Sequence, residues 1–144
     1  MRSTAQALAI VGVLGIVVGA SGDRQVVSAQ AEASHVVKVD RLYTGPDGLT
    51  YLDQVELPTG MIKIAGFQCR RAAPDEFGEW HPAPRRQYVV TLRGIGEIEA
   101  SGGGKFRSGA GHMELLENTT GKGHRTRRVG PDHRVSCQLA LVDQ

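Results

Sequence analysis

From residue 35 onward the chain is a succession of short alternating runs, each cut off within about ten residues by glycine, proline or asparagine turn chemistry, and this pattern constrains the fold more than anything else in the sequence. A helix places apolar residues three and four apart, whereas a strand alternates faces at every residue. The segment 95–100 shows the second period: Ile98 and Ala100 point one way while Glu97 and Glu99 point the other. Strands are expected over 35–43, 49–57, 61–69, 80–92, 95–100, 105–106, 112–117, 125–129 and 134–142. Between them lie strong stops: Gly45-Pro46-Asp47-Gly48, Pro58-Thr59-Gly60 and Ser101-Gly102-Gly103-Gly104. Gly66, inside the third run, marks a bulge. With 19 glycines and 6 prolines in 144 residues, no long helical stretch fits after residue 35. The class is all-β, a sandwich or barrel.

The first thirty residues follow a different logic. Arg2 precedes an apolar stretch over about 5–20, interrupted by Gly12, Gly15 and Gly19. A membrane span needs roughly 20 apolar residues, so this stretch suits the core of a secretory signal better. Ala29-Gln30-Ala31 supplies the small-x-small cleavage pattern, which divides the chain into a signal peptide, 1–31, and one mature domain, 32–144, destined for the periplasm or secretion. An uncleaved N-terminal anchor is the alternative. No Arg-Arg pair precedes the apolar core, and there is no lipobox cysteine. The net charge of +2 leaves the mature part nearly neutral, which argues against nucleic-acid binding and against membrane binding after cleavage. Cys69 and Cys137 would then sit in an oxidising compartment, and both buried free thiols and a single bridge agree with their positions.

The stretch richest in chemistry is Glu79-Trp80-His81-Pro82-Ala83-Pro84-Arg85-Arg86-Gln87, followed at a distance by Gly94. It resembles the first motif of the cupin superfamily, a His, a second His two residues on, a Glu four further on and then a Gly. His81 stands at the first His position, Gln87 at the Glu position, and Ala83 where the second His would be. Gly121-Lys122-Gly123-His124 resembles the second motif, with Thr119 in place of the usual Pro and Arg128 where Asn is common. Gly109-Ala110-Gly111-His112 is similar to a Gly-Pro-Gly-Asp turn of these proteins. The resemblance spans about residues 36–144. It implies a cupin-type jelly-roll β-barrel, an antiparallel double sheet, and it says little of function because that fold hosts many chemistries and many non-enzymes.

What the resemblance implies for chemistry is a divalent-metal site with His81, Gln87 and His124 as ligands, the imidazoles suiting a transition metal and the amide oxygen completing the set. Glu79 shares strand parity with His81 and is the expected catalytic base at the mouth. Arg85 shares that parity too and is the expected contact for an anionic group on a small-molecule ligand. The competing expectation is a metal-free polar cluster in a barrel that binds an organic ligand or serves as structure only. His112 reads as a turn residue, His35 and His133 as solvated, and Trp80 as a packing residue. Asn118-Thr119-Thr120 matches a glycosylation acceptor, and no motif for serine or cysteine nucleophiles or for phosphate cradles occurs. Exposed sheet edges suggest a homodimer, with the N-terminal strand pair as the covering element.

Overall fold

The computed structural model describes residues 36–74 and 76–142, which lie in one compact unit, Ser34–Gln144. Segment 1–31, expected as a signal peptide, and His35 lie outside the described residues. Nine strands follow one another: β1 (Lys38–Thr44), β2 (Thr50–Glu56), β3 (Ile64–Ala72), β4 (Gln87–Arg93), β5 (Ile95–Ala100), β6 (Lys105–Ser108), β7 (Met113–Leu116), β8 (His124–Val129) and β9 (Arg134–Leu141). No helix occurs among the described residues. Each expected run carries one strand, and the register of β3 on β9 shifts between Ile64 and Gly66, the bulge that the glycine announced. The turn after β1 closes as its sequence dictates. Gly48 N–H donates to Gly45 O at 3.0 Å, and Asp47 accepts from Leu49 N–H and from the Tyr51 hydroxyl at 3.1 and 2.6 Å.

The strands form two sheets, one of six in the order β2-β1-β7-β4-β9-β3 and one of three in the order β6-β5-β8. Neighbours run antiparallel except β1 and β7, which are parallel. This is a jelly-roll double sheet, but the two sheets are not hydrogen-bonded into a closed barrel, and the expected long strand over 80–92 begins only at Gln87. The cause lies in the sequence. Pro82 and Pro84 carry no N–H and cannot hold a ladder, so the segment beside β8 is reduced to isolated bridges, Phe77 to Arg127 and His81 to His124. The three-stranded sheet therefore ends at β8.

Alternation on the large sheet sorts its residues into two populations. Leu42, Val89 and Leu116 pack inward with Ala83 and with Ile98 of the small sheet. Residues of the opposite parity, Val39, Tyr88, Leu115 and Leu141, form a second cluster on the other face. Burying Leu42 completely, at 0% exposure, stabilises the fold by about 2 kcal/mol. Strands β3 and β9 invert the ordinary rule, for their inward side is polar: Gln68, Arg70, Ser136 and Gln138 line the space between the sheets. Cys69 and Cys137 stand directly opposite each other on these strands and form a disulfide, Cα atoms 4.0 Å apart. The bond that the sequence left open is thus made. It is not wholly a core feature, since Cys137 is buried and Cys69 is exposed.

Candidate functional site

Between the sheets lies a cavity of about 400 Å³, within the usual range of small-molecule sites. His81, Gln87 and His124 all line it. They do not arrive there by the uninterrupted pleat that their spacing suggested. Gln87 opens β4, His124 opens β8, and His81 sits outside any strand, tied to His124 by a two-way backbone bridge. His81 N–H donates to His124 O at 3.0 Å and His124 N–H to His81 O at 2.9 Å. That close approach requires Gly123. Its φ is +81°, and a Cβ there would collide with the His81 carbonyl. The two imidazole centroids stand 4.7 Å apart.

Asn118 organises the pair. Its Nδ2 lies 2.8 Å from His124 Nδ1 and donates to Thr50 Oγ1 at 3.2 Å, while its backbone oxygen accepts from Ala83 N–H at 2.9 Å. Asn118 is fully buried, so the glycosylation pattern over 118–120 is a structural feature in the folded chain. With the Asn118 amide donating to Nδ1, neutral His124 carries its proton on Nε2. Burial, with His81 adding to it, pushes the His124 pKa down to about 4, which keeps the ring neutral at physiological pH. His81 is set the opposite way. Its Nδ1 donates to Glu79 O at 2.8 Å, leaving Nε2 with the lone pair. One ring offers a donor and the other an acceptor.

This donor set is poorer than that of an ordinary divalent-metal site. A zinc-type site takes three or more strong ligands from Cys, His, Asp and Glu, and no such group of three converges among the described residues. One of the two imidazoles here presents an N–H, Gln87 is a neutral amide, and Ala83, at the family's second His position, is buried in the apolar cluster with Val89 and Ile98. The other two expected residues lie elsewhere. Glu79 and Arg85 are both exposed and neither is on the cavity wall; the prolines that end the strand also end the parity that placed them there.

Residues that the motifs did not mark make up the rest of the wall. Arg70 pairs with Glu76, and both line the cavity, as do Arg134 and Glu114. The inward polar parity of β9, Arg134-x-Ser136-x-Gln138, was the available signal, but alternation alone does not say which face is inside. Outside the cavity, Arg125 stacks on Phe77 and Trp80 at 4.8 and 4.6 Å, and Lys122 on Trp80 at 5.1 Å. Lys122 and Arg125 are therefore held on aromatic faces, and Trp80, expected as a packing residue, carries these cations on its ring. His112, expected as a turn residue, stacks on Phe106 with centroids 5.4 Å apart.

No family model and no curated protein matches the chain. Among solved structures it is similar to an RmlC-like cupin protein from Desulfovibrio desulfuricans, with 14% identity, a TM-score of 0.41 and coverage of 85% of this chain and 97% of that one. It is also similar to a Neisseria meningitidis protein, with 14% identity, a TM-score of 0.40 and coverage of 57% and 83%. By its own strand order and paired sheets, the chain is an all-β jelly-roll double sheet.

Proposed function

We propose that the protein is an exported binding module whose inter-sheet cavity receives a small organic anion. The observation that carries this reading is the convergence of His81 and Gln87 from one segment and His124 from another on one cavity that Arg70 and Arg134 also line. A neutral imidazole N–H, an amide and guanidinium groups are hydrogen-bond donors for carboxylate or carbonyl oxygen. A carboxylate is thus the group the wall is suited to meet, and the acceptor nitrogen of His81 also suits a hydroxyl beside it. The Cys69–Cys137 bridge supports export, because such bonds persist in oxidising compartments.

A second reading, a divalent metal bound through His81, Gln87 and His124, is favoured by one detail. His81 is pinned through Nδ1 to a backbone carbonyl with Nε2 free, the arrangement that ligating histidines adopt. Elemental analysis of the purified protein, paired with a thermal-shift screen of small carboxylates and their amides, separates the two. A metal-free protein stabilised by carboxylates and not by amides is expected. One equivalent of tightly held metal would overturn the metal-free reading. The mass of the native N-terminus tests cleavage after Ala31, and the mass in solution tests the homodimer.

A further inference from the structure

The wall of the cavity that the motifs did not mark holds a buried ion pair whose arrangement exceeds what structure needs. Arg134 of β9 is 8% exposed and Glu114 of β7 is 2% exposed, and both line the cavity. Arg134 Nη2 donates to Glu114 Oε1 at 3.2 Å, to Thr91 Oγ1 at 2.8 Å and to Ser108 Oγ at 3.4 Å. Ser108 Oγ donates in turn to Glu114 Oε2 at 2.8 Å and lies 2.7 Å from Thr91 Oγ1. The guanidinium is laid against Gly96, where a Cβ would stand 2.8 Å from Nε. Arg134 Nε is buried with no hydrogen-bond partner.

Burying an ion pair costs desolvation that mutual attraction rarely repays, and apolar residues of similar volume serve stability as well or better. A pair that borders a cavity and keeps an unused donor is suited instead to meeting a second anion. The charges around Glu114 favour giving it up. Arg134 on β9 is its cationic partner. Asp40 lies opposite it on β1, and His112 Nε2 is 3.2 Å from Asp40 Oδ2 and 3.8 Å from Glu114 Oε2. Strands β4 and β6 contribute hydroxyls, Thr91 and Ser108, and Arg70 on β3 is already paired with Glu76. Burial, with Asp40 adding to it and Arg134 opposing it, raises the Glu114 pKa to about 7.

We propose that Arg134 and Glu114 form an exchangeable anion subsite: the carboxylate of a cavity ligand replaces Glu114 on the Arg134 guanidinium, and Glu114 takes up one proton from solvent. The proton-bearing carboxyl stays within reach of Ser108 as a neutral hydrogen-bonding group, and no buried negative charge is added. This rests on the organic-anion reading above and deepens it, for it names the residue that meets the carboxylate and couples binding to protonation.

Calorimetric titration of the purified protein with succinate and with benzoate at pH 8, in two buffers of different ionisation enthalpy, reads the coupling directly. Uptake close to one proton per ligand is expected, with affinity falling about tenfold per pH unit above pH 8. Glu114→Gln is expected to abolish the uptake and flatten that dependence, and Arg134→Lys to weaken binding at least tenfold. The proton count on the unmodified protein decides the question even where a variant does not fold. Binding without proton uptake and with a flat pH dependence would overturn the exchange and leave the anion-receptor reading standing. Absence of binding by either carboxylate, or equal binding of succinamide, would overturn that reading and the subsite with it.

Discussion

Asn118 and Gly123 decide more of the site than the residues whose chemistry is on display. Removing the Asn118 amide strands His124 Nδ1, which is paired at 2.8 Å. Asn118→Ala is therefore expected to cost about 1–3 kcal/mol in chemical denaturation and to alter the His124 tautomer seen by nitrogen NMR. An unchanged tautomer would mean that some other group sets it. Gly123→Ala forces a side chain into positive φ and against the His81 carbonyl. A loss of about 1–3 kcal/mol is expected, together with a weakened ligand-induced thermal shift as His81 leaves His124. The motif resemblance singled out His81, Gln87 and His124, which line one cavity, though not by the strand parity that their spacing suggested. It could not reveal Asn118, which reads as a glycosylation acceptor, nor Glu114 and Arg134, because alternation fixes which residues share a face and not which face is enclosed. Glu79 and Arg85 were placed by a parity that holds only on a continuous strand, and Pro82 and Pro84 break it.

At the scale of the element, β3 is the most exposed strand among the described residues. All of its residues except Gly66 and Ala72 are exposed, and its one strand neighbour is β9. The disulfide fastens it there, linking positions 68 residues apart in sequence. Replacing Cys69 and Cys137 together by Ser is expected to cost about 2–5 kcal/mol, read from the denaturation midpoint. Amide exchange should speed up first in β3, leaving β1, β4 and β7 slow; uniform acceleration would show that β3 is no separate unit. Each of the nine strands falls on an expected alternating run, although β3 pairs on to Ala72 and β4 starts only at Gln87. The closure of the barrel was not legible, since it depends on a ladder that two prolines forbid between the 80–86 segment and β8.

For the whole molecule, two buried groups give pH dependences of opposite sign. The His124 pKa falls to about 4 on folding, so its contribution is complete above about 6.5 and is lost as pH falls toward 4. The Glu114 pKa rises to about 7, so its contribution is present below about 4.5 and is lost as pH rises through 7. Between about 4.5 and 6.5 the slopes oppose, each up to about 1.4 kcal/mol per pH unit. Urea midpoints are therefore expected to stay nearly level across that window and to decline toward pH 7. Glu114→Gln should convert the level stretch into a rise with pH, and a variant curve parallel to the unmodified one would remove Glu114 from the account. The sheet order has a consequence for how the chain comes to be folded at all. Strand β9, the last of the nine among the described residues, lies between β3 and β4, so the large sheet stays split until β9 is available to pair. The two halves of that sheet join only when β9 pairs with β3 along one side and with β4 along the other.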